Sequence, residues 1–373
     1  MLVRYIPQIT GAISLKRSDS CLQPFSTISG TISETLFKIK VDISQLSADA
    51  LAPYGANLWI LSPACQPYTV LNPNAKGAQD PRAKSFLHLV QIVLPELVGQ
   101  KAHPTHILVE NVAGFESSST RELLVTGLQS MGYTTAEFLL TPLQFGIPNS
   151  RLRYYLLAKL PPFSFPHLGD APTSPCRYIP SSGNKKQWDD PRLTDAEQDA
   201  SNIPISELRH YLDPEDLDPS LAISDKVLQK WGRLFDIVLP SSQRSCCFTR
   251  GYTQLVERAG SIIQMNTELD TTTTFDLFLK AQEENNMEAV TILYPLRLRY
   301  FSPSELLRLF AFDQCEENQI TSNQGQEGKS VGYNDFVWPE GITKKTKYRL
   351  IGNSVNVKVV TELINFLYED WDA

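Results

Sequence analysis

Leu58-Trp59-Ile60-Leu61-Ser62-Pro63-Ala64-Cys65-Gln66-Pro67-Tyr68 passes from large apolar residues straight into a proline-braced turn that carries a thiol. Consecutive apolar residues bounded by turn formers read as a short strand buried on both faces. A second run, His106-Ile107-Leu108-Val109, ends in Glu110-Asn111-Val112. Phe86, Leu89, Val90, Val93 and Leu94 recur at helical spacing and predict a helix over 83–94, bent or ended by Pro95. Ser119-Thr120-Arg121-Glu122 reads as a capping box, with Leu123, Leu124, Leu128 and Met131 inward and Gly132 at the helix end. Residues 137–140 and 154–158 read as two further strands. Strands alternating with helices at this spacing predict an α/β fold with a mainly parallel sheet and helices on both faces.

Beyond residue 160 the pattern changes. Pro161, Pro162, Pro166, Pro172, Pro175 and Pro180 rule out long regular elements there. Core pieces are expected at 224–238 and 244–264, and 266–290 reads as polar and mobile. Order returns with Ser302-Pro303-Ser304-Glu305, an N-cap, an N1 proline and an N3 acid opening a helix through Phe310. A polar insert covers 314–335. Gly352-Asn353-Ser354 reads as a turn. Val359, Val360, Leu363, Ile364 and Leu367 then form one face of a helix over 355–367 that packs back on the first domain.

The chain has 373 residues, 42% hydrophobic and 20% charged, which are globular values. No apolar stretch is long enough to span a bilayer, and no secretory leader is legible. Six cysteines without a leader point to a reducing compartment, the cytoplasm or nucleus. No Cys-x-x-Cys spacing and only five histidines argue against a metal site. The net charge of −7 argues against a generally basic nucleic-acid binder. Local basic clusters exist all the same, at Lys344, Lys345, Lys347 and Arg349 and at Arg297 and Arg299. A solvated surface is the plainer reading of either.

The thiol and the carboxylate at two strand ends suit one particular chemistry. Carbon 5 of cytosine is a poor nucleophile. A thiolate that adds to carbon 6 turns the ring into an enamine able to take an electrophilic methyl, and an acid must stabilise N3. Cys65 suits the first role and Glu110 the second, because open parallel sheets bind ligands at the carboxyl ends of their strands. Taken singly, Cys65 reads more plainly as an inert buried thiol and Glu110 as a cap or loop partner. Gly146-Ile147-Pro148-Asn149-Ser150-Arg151-Leu152-Arg153 adds two arginines whose alternation puts both on one strand face. There they suit a phosphate or a base carbonyl, or form surface salt bridges.

In order and spacing these segments resemble the cytosine-5 methyltransferase family: Pro-Cys-Gln replaced here by Ala64-Cys65-Gln66, then Glu110-Asn111-Val112, Arg151-x-Arg153 and Gly352-Asn353-Ser354. Cys246-Cys247-Phe248-Thr249-Arg250-Gly251-Tyr252 and 347–357 are similar to the eukaryotic branch that methylates tRNA. The resemblance covers roughly 57–160, 231–265 and 291–370. It implies a Rossmann-like methyltransferase sheet with a small loop-rich target-recognition domain. Residues 1–160 would be the N-terminal part of the methyltransferase domain, 161–290 the recognition region, and 291–373 the C-terminal part that completes the first domain. It further implies S-adenosyl-L-methionine as cofactor and cytosine-38 of aspartate tRNA as substrate, with DNA as the alternative partner, acted on by a monomer. Cys65 would be the nucleophile, Glu110 the N3 partner, and Arg151 and Arg153 would position the base. Asp42, Ile43, Ser62, Asn353, Ser354 and Val355 would hold the cofactor. Cys247, Thr249, Tyr252, Lys347 and Arg349 would face the substrate, although 246–252 reads equally as plain core.

The chain departs from that pattern at its start. The family opens with a strand and a Gly-rich turn, Phe/Tyr-Ser-Gly-x-Gly-Gly, for the methionine end of the cofactor. Residues 1–40 contain only Gly11 and Gly30, and 25–35 are polar. Asp19 and Glu34 are the nearest acids for a ribose. The departure motivates a third reading, an inactive RNA-binding relative.

Overall fold

Both apolar runs lie at the centre of one sheet. The computed structural model describes residues 12–16, 42–69, 76–165, 168, 174–180, 204–213, 218–312 and 336–369. The sheet order is β1 (Ala12–Lys16), β2 (Leu58–Ser62), β3 (His106–Val112), β5 (Arg153–Lys159) and β4 (Thr134–Leu140). β1, β2 and β3 pair in parallel, while β5 runs antiparallel to both β3 and β4. Four strands therefore share one direction, and β5 is the exception to the mainly parallel expectation. A parallel strand falls at Ala12–Lys16, earlier in the chain than the polar 25–35 stretch.

Both faces of this sheet are covered, which is why its strands are continuously apolar. Trp59, Leu61, Ile107, Val109, Tyr154 and Leu156 form one core with Leu51, Phe86, Val90, Leu97, Leu124 and Leu128. These come from α1 (Ala48–Leu51), α2 (Lys84–His88), the π-helical turn Leu89–Val93, α3 (Leu94–Gly99) and α4 (Ser119–Ser130). On the opposite face Phe366 meets Phe138 edge-on at 5.8 Å, and Tyr368 stacks on His106 at 4.4 Å.

Two local expectations are corrected. The helix over 83–94 does not end at Pro95. It widens into a π-helical turn, Leu89–Val93, where Leu94 N–H reaches back to Leu89 O, and then continues to Gly99. That wider turn accommodates the missing proline N–H. The cap of α4 is Ser118, whose hydroxyl accepts from Arg121 N–H at 3.2 Å, so the helix starts one residue earlier in phase and Leu123 points outward.

The chain forms two compact units, 1–140 with 152–201 and 360–373, and 141–151 with 202–359. The second unit carries α5 (Asp225–Trp231), a small sheet of β6 (Ile237–Val238), β7 (Ile262–Gln264) and β8 (Leu298–Arg299), α6 (Thr271–Glu283), α7 (Pro303–Leu309) and α8 (Lys344–Gly352). α9 (Val357–Leu367) begins in the second unit and ends in the first, with its five predicted apolar positions buried. Residues 266–290 contain α6. Asp270 caps α6 through Thr273 N–H at 2.7 Å, and Phe275 and Phe278 supply an apolar stripe within an otherwise polar sequence. The insert at 314–335, Asp19 and Glu34 lie outside the described residues.

The capping box at Ser302 forms as expected, and it does more than cap. Glu305 is fully buried and binds Arg299 twice, at 2.8 and 2.9 Å, while also accepting from Ser302 N–H and Asp213 N–H. Arg299 is therefore a core residue rather than part of a solvated basic surface. A buried carboxylate is tolerated only when paired and hydrogen-bonded in this way. Arg297 alone of that pair is exposed.

Candidate active site

Parallel register brings the thiol loop and the carboxylate to one sheet edge. Ile60 lies opposite Leu108 and Leu61 opposite Val109, so Ser62 and Glu110 come next, at the carboxyl ends of β2 and β3. Residues paired across a parallel ladder point to the same face. The Ser62 hydroxyl accordingly donates to Glu110 Oε2. Cys65 follows three residues later in the chain, exposed, in a turn closed by Tyr68 N–H and Thr69 N–H, which both donate to its carbonyl oxygen at 3.0 and 3.1 Å. Tyr68 anchors that turn by burying its ring edge-on against Phe115 at 4.7 Å, and Phe115 lies just beyond β3. The loop bearing the thiol is thus tied to the strand bearing the carboxylate and to the turn that follows it.

Arg153 opens β5 where β3 ends. Glu110 is paired with Tyr155, and Arg153, two residues from Tyr155, shares its face. The Arg153 Nε lies 3.6 Å from Glu110 Oε1, with both side chains largely buried. A cation and a hydroxyl therefore flank the two oxygens of one carboxylate.

Arg151 has other partners. The strand begins at Arg153, so the alternation expected to align the two arginines does not reach Arg151. Its side chain is 4% exposed. Nη1 donates to Cys247 Sγ at 3.2 Å and Phe248 O at 3.0 Å, and Nη2 to Gly352 O at 3.2 Å and Ser354 O at 2.7 Å. The Phe310 ring lies 5.1 Å away. A guanidinium so engaged holds backbone, which corrects the expectation that Arg151 contacts the base.

Ile43, Leu61, Ser62, Pro63, Ala64, Arg82, Ser85, Phe86 and Leu89 line a small open cleft beside the β2 end. Its apolar wall suits the nucleoside part of S-adenosylmethionine. Among the described residues no glycine cradle stands beside it for the methionine part, so the fit to that cofactor is partial. Asp42 is exposed and caps a short 3-10 turn through Ser44 N–H at 3.0 Å. Asn353 ends α8 and is exposed. Ser354 is nearly buried and donates to Ile351 O at 2.6 Å, and Val355 is half-buried.

Of the five expected substrate contacts, Tyr252 is corrected. It is 2% exposed, and its hydroxyl donates to Ser261 O at 2.8 Å and accepts from Phe301 N–H at 2.9 Å. Its place in the core leaves no face for RNA, and burial pushes its phenol well above the usual value. Cys247 and Thr249 are half-buried. Lys347 sits over the Trp338 ring at 5.3 Å. Lys345, Lys347 and Arg349 have no carboxylate partner among the described residues, whereas Lys344 pairs with Asp218 at 2.7 Å. No cluster among the described residues could hold a metal ion, and no described helix is long and apolar enough to cross a membrane.

Sequence reasoning missed the Ser62 link to Glu110 and the Tyr68 anchor. The first was within reach, because aligning 58–62 with 106–110 as parallel neighbours places Ser62 beside Glu110.

The family model described as C-5 cytosine-specific DNA methylase matches residues 34–369. The tRNA (cytosine(38)-C(5))-methyltransferase of Schizosaccharomyces pombe is 37% identical over 331 residues, 88% of this chain and 82% of that protein. A DNA (cytosine-5)-methyltransferase of Dictyostelium discoideum is 34% identical over 349 residues, 87% of this chain and 80% of that one. The crystal structure of S. pombe Dnmt2 methyltransferase superimposes with a TM-score of 0.62 at 35% identity, covering 89% of this chain and 84% of that chain.

Proposed function

Because the chain belongs to the C-5 cytosine-specific DNA methylase family, we propose that it methylates carbon 5 of cytosine in tRNA, at position 38 of the aspartate anticodon loop. The observation that carries the reading is the Ser62–Glu110 contact, which holds the Cys65 loop and a carboxylate at the ends of adjacent parallel strands. Cys65 is the nucleophile, Glu110 the partner of N3, and Arg153 a cation beside them. Lys345, Lys347 and Arg349 on α8, with Cys247 and Thr249, are the substrate-facing residues of the second unit. Family members use S-adenosylmethionine. When bound, it would supply an electrophilic methyl group, and Ile43 and Ser62 would line its nucleoside side. The remaining residues bind and orient the base.

RNA is favoured over DNA by the name of the S. pombe relative. An anticodon-loop base is already unpaired and requires no extraction from a duplex, which suits a modest recognition region such as 161–290. The test is methyl transfer from S-adenosylmethionine to an aspartate tRNA transcript, with the modified position mapped. Methylation at cytosine-38 that disappears in Cys65→Ala, with RNA binding kept, is expected. Methylation of duplex DNA alone would favour the DNA reading. Absence of S-adenosylmethionine binding by calorimetry would favour the inactive relative.

A further inference from the structure

We infer that Ser62 is a positioning residue for Glu110: its hydroxyl holds one carboxyl oxygen so that the other faces N3 of the base. The inference rests on the reading of Cys65 and Glu110 given above. Three observations carry it. The parallel register places Ser62 and Glu110 side by side on one face. The hydroxyl donates to Oε2, and Arg153 lies against Oε1. Ser62 also precedes the Pro63-Ala64-Cys65 turn, whose closing residue Tyr68 is packed into the core. One hydrogen bond therefore fixes the carboxyl group relative to the sulfur.

The chemistry gives that bond a purpose. The Cys65 thiolate forms a bond to carbon 6. The C5=C6 electron pair moves to C4–C5, the C4=N3 pair moves to nitrogen, and N3 takes the proton of the Glu110 carboxylic acid. Sulfur becomes a neutral thioether and Glu110 becomes a carboxylate. The negative charge thus leaves the thiolate and arrives on oxygens already met by Ser62 and Arg153. Donors placed where charge develops lower the barrier without reorganisation. A hydrogen bond to a charged group contributes about 1.5–3 kcal/mol, which corresponds to roughly 10- to 160-fold in rate.

The addition step can be read without any methyl donor. Once sulfur is bound, carbon 5 picks up a deuteron from D₂O, and reversal releases cytosine with exchanged H5. Exchange at cytosine-38 of an aspartate tRNA anticodon stem-loop reports the step directly. Ser62→Ala is expected to slow exchange at saturating RNA by roughly 10-fold or more, with half-saturation unchanged. Ser62→Thr, which keeps the hydroxyl, should recover most of the rate. Exchange at the wild-type rate in Ser62→Ala overturns the inference. So does a loss that Ser62→Thr fails to recover while its thermal melting matches wild type. Cys65→Ala and Glu110→Gln separate the two levels. If either exchanges normally, the active-site reading itself fails and the inference goes with it. If both are silent and Ser62→Ala is normal, only the role of Ser62 is lost.

Discussion

The Arg151 guanidinium donates to the carbonyl oxygen of Ser354 at 2.7 Å, and through its other nitrogen to Phe248 O at 3.0 Å. One buried cation thereby joins the Cys-Phe-Thr segment to the Gly-Asn-Ser turn, two motifs about a hundred residues apart in the chain. A planar fork can bond both at once, and an ammonium cannot. Arg151→Lys should therefore lower stability by about 3 kcal/mol, read as a drop in the urea midpoint. An unchanged midpoint would show that the fork is dispensable.

Gly352 tests the same junction from the other side. A Cβ added there would stand 2.2 Å from the carbonyl carbon of Thr249, against backbone that cannot swing away. Gly352→Ala is expected to destabilise by about 2 kcal/mol or more through overpacking. Gly99→Ala, where an added Cβ meets nothing within 4 Å, is the control and should be neutral. Equal thermal shifts in the two variants would contradict this packing.

Asp218 links the first turn of α8 to the turn at 218–220. Hydrogen bonds from Lys344 and then Ser220 pull its carboxyl down to about 2. The folded value lies below the ordinary carboxylate value of about 4, so the contribution is complete above pH ~4 and is lost as pH falls toward 2. Asp218→Asn should thus melt below wild type at pH 6, and the gap should close near pH 2. A gap independent of pH would assign the effect to something other than this ion pair.

Lys345, Lys347 and Arg349 provide a cationic surface on an otherwise acidic chain. If they meet phosphates, each replacement by Ala should reduce the slope of log K against log salt by about 1 for tRNA binding. Arg349→Ala and Lys345→Ala are the informative pair, because Lys347 also packs on Trp338. Slopes equal to wild type would move the RNA to another surface.

Much of this architecture is legible in the chain because its signals are local. β2 and β3 are continuous apolar runs, the capping box at Ser302 occupies four consecutive residues, and α9 repeats an apolar face. What escapes depends on partners distant in sequence. Arg299 reads as surface until Glu305 is seen to bury it, and Tyr252 reads as a contact until Phe301 and Ser261 take its hydroxyl. The shared face of Arg151 and Arg153 fails because Arg151 lies two residues before the strand begins. The Ser62–Glu110 bond needs the register of two strands, not the composition of either.

The most direct measurement uses an aspartate tRNA carrying 5-fluorocytosine at position 38, incubated with the protein and S-adenosylmethionine. Fluorine at carbon 5 blocks the final elimination, so the sulfur–carbon 6 bond persists and can be located by digestion and mass spectrometry. We expect the nucleotide on the peptide containing Cys65, and no adduct in Cys65→Ala. An adduct on Cys176, Cys246 or Cys247, or none at all from folded protein with RNA bound, would contradict the assignment of Cys65 as the nucleophile.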